Sequence, residues 1–226
     1  QHYGNIIWAQ YPSNGEYNHQ YYWNKALKED HNVFTKLNYQ YLNKTTFYID
    51  MQARSVEYTF KGYDEDGNPA EQKKDLLFLN PKFGAHHNLN KKQIVYASFG
   101  VANKEPNRND YIDSEFGSYP THETLHDYEA GYKIVNSHLS FSINGFYMNY
   151  MNQLVATGKI NNVGAYIRAN VKKSFRAGLE IEGIAKLSNK LNWATNVSIS
   201  KNKIMNFTEY IDNWDSGFQE HIIHTN

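Results

Sequence analysis

The chain contains no cysteine. Disulfides, thiolate zinc sites and cysteine nucleophiles are therefore excluded. It also lacks an excess of either charge. Lysine plus arginine and aspartate plus glutamate each number 23 in 226 residues. That removes the broad basic surface expected of a nucleic-acid binder, and any acidic tail. No apolar run approaches the ~20 residues of a membrane-spanning helix. A helical membrane protein is excluded. A barrel is not, because its strands alternate and leave little hydropathy signal. No leader peptide is visible at Gln1. Residues 1–30, with Tyr11-Pro12-Ser13-Asn14-Gly15, and residues 209–226 both read as loop-like, and as cuts inside a longer protein.

What the chain has in plenty is aromatic rings. Nineteen tyrosines, twelve phenylalanines and four tryptophans sit in a sequence of mean hydropathy −0.74. Tyrosine joins an apolar ring to a polar tip and suits boundaries between oil and water. Sugar-binding β-proteins and membrane barrels with aromatic girdles both use it so.

The period is two. Phe47, Ile49, Met51 and Ala53 alternate with Asp50, Gln52 and Arg54. Val33, Leu37, Tyr39 and Tyr41 oppose Lys36, Asn38 and Gln40. The same holds for Leu139, Phe141, Ile143 and Tyr147, and for Leu191, Trp193, Val197 and Ile199. These are β-strands with one oily and one wet face. Residues 163–187 keep their parity throughout, so they read as one very long strand. Globular strands usually run 3–10 residues, so this length suggests a wall extending above a membrane. About eight strands are expected, at 32–42, 45–60, 76–88, 92–103, 123–134, 138–152, 163–187 and 191–206. Short turns near residues 43–44, 88–91, 136–137 and 188–190 alternate with long polar loops at 62–75 and 104–122 and a moderate one at 156–162. Short turns on one rim and long loops on the other characterise outer-membrane barrels.

A soluble sandwich also alternates, with its apolar face inward. A barrel turns that face to lipid and its polar face to the lumen. Mixed charges at Asp50, Arg54, Asp127, Glu129, Lys133, Arg168, Arg176, Glu180, Glu182 and Lys186 favour the barrel, and suit a lumen that holds a polar plug. The competing reading is a charged solvent face.

Several stretches, taken in order, resemble the barrel of TonB-dependent receptors, especially the Bacteroidetes type linked to iron uptake. They are Phe47-Tyr48-Ile49-Asp50-Met51-Gln52-Ala53-Arg54, Asn80-Pro81-Lys82-Phe83-Gly84, Tyr96-Ala97-Ser98-Phe99-Gly100, Glu105-Pro106-Asn107-Arg108-Asn109-Asp110-Tyr111, and Tyr128-Glu129-Ala130-Gly131. Phe146-Tyr147-Met148-Asn149-Tyr150 and Gly178-Leu179-Glu180 complete the series. The resemblance implies an all-β, antiparallel up-and-down transmembrane barrel. Residues 1–226 would supply a partial barrel of about eight strands, from a whole of roughly 22, without the plug and closing strands. It implies an outer-membrane importer in a Gram-negative bacterium. The partners implied are an N-terminal plug of the same protein, the TonB complex, outer-membrane lipid and a nutrient such as a ferric siderophore or other metal chelate. No cofactor and no covalent chemistry are implied. The alternatives are a SusC-like glycan importer, a soluble tyrosine-rich carbohydrate-binding β-sandwich, and an outer-membrane enzyme.

Other constellations are weak. His122 and His126 share one strand face while Asp127 and Glu129 point the other way, so a metal site is not expected. His86 and His87 diverge beside a short turn. Gly62-Tyr63-Asp64-Glu65-Asp66-Gly67-Asn68 is acidic but lacks the calcium-loop pattern. No Gly-x-Ser-x-Gly elbow or phosphate loop is present. Ligand contacts are expected from Tyr63, Asn107, Arg108, Tyr111 and Tyr119, because arginine pairs with carboxylates and tyrosine stacks on chelate or sugar rings. Asp50, Arg54, Asp127, Glu129, Arg168, Arg176, Glu180 and Glu182 are expected to face the lumen and plug.

Overall fold

A computed structural model of the chain describes residues 2–5, 18–63, 71–114, 117–161, 164–213, 215 and 217–224. One antiparallel sheet runs in simple sequence order. Its strands are β1 (His2–Asn5), β2 (Asn18–Tyr41), β3 (Thr45–Tyr63), β4 (Gln72–Asn88), β5 (Gln93–Lys104), β6 (Glu123–Val135), β7 (Leu139–Ile160), β8 (Tyr166–Lys186) and β9 (Asn192–Met205). A short helix, α1 (Arg108–Ile112), lies between β5 and β6. A separate hairpin of β10 (Phe207–Asn213) and β11 (Phe218–His224) follows. The up-and-down order is the expected one.

Four expectations need correction. Residues 18–30 are the first half of β2, not loop; β2 has 24 residues and outruns β8 with its 21. Lys25, Lys28 and Asp30 supply no apolar alternation there, and pairing with β3 carries the strand onward. Residues 209–224 include a hairpin rather than irregular chain. The expected loop at 156–162 is mostly strand, since β7 reaches Ile160. The long loop at 104–122 contains α1.

The short-turn rim is set by local chemistry. Leu42 and Asn43 both have positive φ, at 49° and 52°, and the Lys44 N–H donates to the Tyr41 carbonyl at 3.2 Å. Two successive left-handed residues match the twist of a tight hairpin. Elsewhere the side chain makes the turn. Asn136 Oδ1 accepts from the N–H groups of His138 and Leu139, both at 2.9 Å. Asn90 Oδ1 does the same for Lys92 at 2.9 Å, and Ser188 Oγ for Lys190 at 3.2 Å. Such side-chain bonds are why Asn and Ser favour turns.

The apolar face is turned outward. Phe47 is 47 % exposed and Trp193 is 55 % exposed. Phe141 shares the face of Ile143 and Tyr147 by alternation. These rings do not meet in a dry centre, so the soluble-sandwich reading is set aside. Across five neighbouring strands the outer face carries an aromatic row. Phe83 lies 5.2 Å from Phe99, Phe99 4.8 Å from Tyr128, Tyr128 6.3 Å from Tyr147 and Tyr147 5.9 Å from Phe175, between ring centroids. The outward positions of β3 stay uncharged from Thr45 to Ser55, and Glu57 ends the run. The ten steps from Thr45 to Ser55 cover roughly 33 Å, or about 23–25 Å of height for a strand tilted by ~40–45°. That is the height of an outer-membrane hydrocarbon band. Glu29, Glu57 and Asp75 pair across β2, β3 and β4 at its upper edge, with Lys73 Nζ 2.7 Å from Glu57 Oε1.

Curvature leaves a mark on the inner face. Three cross-strand pairs set an aromatic residue against a glycine: Tyr48 with Gly84, Tyr96 with Gly131 and Phe146 with Gly178. Each ring occupies the space a β-carbon would need. At Gly131 that atom would lie 2.4 Å from the Tyr96 ring and 2.7 Å from the Ile143 carbonyl oxygen. Gly131→Ala should therefore destabilise the full-length barrel by about 1–3 kcal/mol. Gly100→Ala, whose new carbon would sit 3.6 Å from the flexible Lys82 side chain, should be tolerated. Urea midpoints of the refolded, detergent-solubilised barrels test this, and equal midpoints for the two variants would refute the packing argument.

Candidate functional site

The chain leaving β5 turns back over the inner wall instead of rising away from it. Pro106 is fully buried. Asn107 caps α1: its side chain accepts from the Asp110 N–H at 3.0 Å, and Asp110 Oδ2 accepts from the Asn107 N–H at 2.8 Å. Asn-x-x-Asp is a capping box with the acid one carbon shorter than usual. The helix presents Tyr111 to Val56, Tyr58, Phe60 and Phe78. Its ring centroid lies 5.2 Å from that of Phe60 and 6.0 Å from that of Tyr58. Burial pushes the Tyr111 hydroxyl up to about 12. Val56, Tyr58 and Phe60 continue the parity of Arg54, so the inner wall changes from ionic to apolar where the loop covers it.

An ion-pair cluster latches the loop. Arg54 donates to Asp30 from Nε (3.0 Å) and Nη2 (2.6 Å). It donates to Glu105 from Nη1 (2.9 Å) and Nη2 (2.8 Å). Lys28 Nζ adds a 2.7 Å bond to Glu105. Burial works to raise the Glu105 carboxyl, but the bonds from Lys28 and Arg54 outweigh it and hold its pKa below the ordinary value. The far end of the loop is tied by Asn170. Its amide donates to the carbonyls of Thr121 (2.9 Å) and Asn152 (2.7 Å), and its oxygen accepts from the Thr121 N–H at 2.7 Å.

Below this rim the inner wall is wet. Asp50 pairs in register with Lys82. Tyr96 donates to Asn144 at 2.9 Å. Asp127 and Glu129 on β6, and Glu180 and Glu182 on β8, flank β7 and concentrate negative charge on one patch. Asp127 Oδ1 is buried with no partner among the described residues. Arg176 lies 5.4 Å from the Tyr150 ring centroid.

The ligand candidates divide. Asn107 and Tyr111 are built into the loop, one as helix cap and one as core. Tyr119 packs on the same core, with Lys74 Nζ 5.6 Å from its ring centroid. Arg108 is exposed and bonds to Asn24. Tyr63 is exposed at the end of β3. The acidic stretch after it, residues 64–68, lies outside the described residues. Among the wall candidates, Arg54 is engaged by the loop, and Arg168 Nη1 lies 3.7 Å from Asp110 Oδ1 on α1. Asp50, Asp127, Glu129, Arg176, Glu180 and Glu182 sit at the level of the band. Among the described residues no cluster of three or more His, Asp or Glu side chains could hold a metal. His126 stacks near Phe99 at 6.1 Å on the outer face.

Lys28, Asp30, Glu105 and Asn170 carry the latch and have no role in the sequence reading. Extending the even parity of Lys36 and Asn38 back through Asn32 would have placed Lys28 and Asp30 beside Arg54.

The family model described as "TonB dependent receptor-like, beta-barrel" matches residues 1–219. No curated protein matches the chain. Among solved structures, the siderophore receptor PiuA from Acinetobacter baumannii is 15% identical with a TM-score of 0.67, over 87% of this chain and 28% of that one. The FrpB iron transporter from Neisseria meningitidis is 17% identical with a TM-score of 0.61, over 80% and 26%. The copper transporter OprC is 14% identical with a TM-score of 0.69, over 79% and 30%. The chain thus spans about 26–30% of the length of these structures, and the likeness is one of fold.

Arg54→Gln should release the loop. Hydrogen bonds to charged groups contribute about 1.5–3 kcal/mol each, so protection of amides in residues 105–122 should fall by roughly 10-fold or more in hydrogen exchange. Acid should act the same way. A carboxyl held below its unfolded pKa stabilises fully above that unfolded value and loses its contribution as pH falls through the lowered folded one. Unchanged loop exchange in Arg54→Gln, at neutral and at acid pH alike, would show that the latch holds nothing.

Proposed function

Since the chain belongs to the TonB-dependent receptor β-barrel family, a family of outer-membrane receptors and transporters of Gram-negative bacteria rather than enzymes, we propose that its parent protein imports a ferric siderophore or similar metal chelate with energy from the TonB complex. The observation that carries this reading is the loop at 105–122. It is folded inward, capped, packed on the apolar top of the wall and ion-paired to Arg54 just below, and so forms a structured rim above a polar conduit. An importer needs a rigid frame that positions contact residues at the mouth, because binding energy is its only chemistry. That PiuA is a siderophore receptor and FrpB an iron transporter supports the cargo class.

Within this reading the acidic patch of Asp127, Glu129, Glu180 and Glu182 seats an N-terminal plug through basic groups on the plug surface. Charged partners in a partly dry lumen form short, strong hydrogen bonds. Arg108, Tyr63 and Tyr119 remain the proposed ligand contacts at the rim, since Asn107 and Tyr111 serve the loop itself. A SusC-like glycan importer is the rival, and expression of the parent gene separates them: iron repression favours the chelate.

The full-length receptor, expressed in an iron-starved Gram-negative host without its own siderophore receptors, should restore growth on at least one ferric chelate only when TonB is present. Growth that persists without TonB, or failure on ferric catecholate, hydroxamate and citrate alike, would remove the proposal. Glu129→Gln with Glu180→Gln should leave the barrel folded but lower uptake by about 10-fold, with the plug more open to protease. Unaltered uptake and protease resistance would detach these acids from the plug.

A further inference from the structure

Where β9 ends, β8 continues alone toward the long-loop rim. The last β8–β9 pair is Lys173 with Met205, whereas β8 stays paired with β7 as far as Tyr166 with Ile160. The chain turns at Asn206, whose φ is 52°. β10 then crosses to β7, so that the Tyr210 carbonyl oxygen sits where a β-carbon of Gly158 would be. The fork between β8 and β10 encloses a cleft of about 900 Å³, with the loop residues Ser118, Tyr119 and Pro120 on its rim. Residues 167–173 all line it in succession. Alternate residues of a strand point opposite ways, so the cleft lies against the strand's edge. On that edge the backbone groups left without a β9 partner face the space.

Among the described residues the charged groups lining this cleft are Lys159, Arg168, Lys172 and Lys173. Asp110 is 3.7 Å from Arg168, but on the loop side. Among the described residues neither Lys172 nor Lys173 has a carboxylate within ion-pair distance. Lys159 lies 4.5 Å from the centroid of the Tyr210 ring, and His221 packs against the same ring at 4.6 Å. A concentration of cations in a concave space of ligand size is a site for an anion of several charges.

We propose that this cleft binds a multiply anionic, oxygen-bearing ligand at the receptor's mouth, with Arg168, Lys172 and Lys173 as its charge partners. Resting on the import reading above, this makes the cargo an anionic chelate rather than a neutral one. A catecholate or polycarboxylate complex fits, since its charged oxygens suit the cations. The same chemistry could come from the phosphates of an outer-leaflet lipid headgroup.

The test uses the full-length receptor in detergent, wild type and Lys172→Gln/Lys173→Gln. Both residues are exposed on the strand edge, so the fold should survive, and an unchanged urea midpoint checks it. Calorimetry is run with inorganic tripolyphosphate, with a triply charged ferric tris-catecholate, with a neutral ferric tris-hydroxamate, and with bis-phosphorylated lipid A in mixed micelles. The expected result is binding of tripolyphosphate, and tighter binding of the catecholate than of the hydroxamate, each weakened at least 10-fold in the variant. Lipid A that binds in a variant-sensitive way while both catecholate and hydroxamate do not would assign the site to a headgroup and overturn the cargo claim. No tripolyphosphate binding, or binding indifferent to the substitutions, would overturn the site itself. TonB-dependent growth on a neutral chelate alone would leave import standing and remove the anionic cargo. Polyanion binding without any TonB-dependent growth would keep the site and remove import.

Discussion

In hydrocarbon a backbone N–H or C=O has no water to turn to, so each must find its partner within the protein. That constraint shapes this chain more than any side-chain contact does. Its eight long strands pair continuously and in order from β2 to β9. The register is unbroken over most of each ladder, and the side chains are left to answer to two different solvents. Because the ladder satisfies the backbone, the outer face is free to be apolar and the inner face ionic. The buried core is accordingly small: Val56, Tyr58, Phe60, Phe78 and Tyr111. In a soluble domain so little buried apolar surface could not offset the entropy of ordering the chain. Here the lipid takes the place of a core.

The small core that does exist marks where the constraint relaxes. Above the aromatic row of Phe83, Phe99, Tyr128, Tyr147 and Phe175, the outer face becomes charged at Glu57 and Asp75. At about the same height the inner face loses its charge at Val56. The two faces exchange character because the surroundings exchange places: water lies outside, and the folded loop lies inside. Arg54 sits at the crossover. It is the last ionic group of the inner wall and the first anchor of the loop, and its two carboxylate partners come from β2 and from the loop.

Alternation is a local property, and the elements it governs were legible in the sequence. Phe47 to Arg54 or Leu139 to Tyr147 declares a strand without reference to any other segment, and Asn136 or Asn43 declares its turn. The first half of β2 was not legible. Lys25-Ala26-Leu27-Lys28-Glu29-Asp30 has no oily face, and only the partner residues Val56 to Lys61 make it a strand. The helix α1 was hidden in a polar loop, although Asn107 and Asp110 held its cap in plain view. Site residues followed the same division. Parity put Asp50, Glu129 and Glu180 on one face of the sheet, opposite Phe47, Tyr128 and Leu179, without knowledge of the fold. It also assigned Arg54 and Arg168 there, but it could not show that a loop from elsewhere in the chain would claim both. Tyr111 read as an exposed aromatic in a loop, and became the centre of a core because five residues of helix turned it inward.

The two rims close their strand ends in different ways. Each short turn must reverse the chain within two to four residues, so its side chains are spent on backbone hydrogen bonds, as with Asn136 and Ser188. At the other rim neighbouring strands end at different heights. β7 and β8 outrun β9, and β2 and β3 rise above β5. Unequal heights leave strand edges bare, and bare edges must be covered by loops, by a crossing hairpin or by a ligand. The inward loop meets that need beside β3 and β4, and β10 meets part of it beside β7. The edge of β8 from Ile167 to Lys172 is met by neither, and there Lys172 has no carboxylate within ion-pair distance among the described residues.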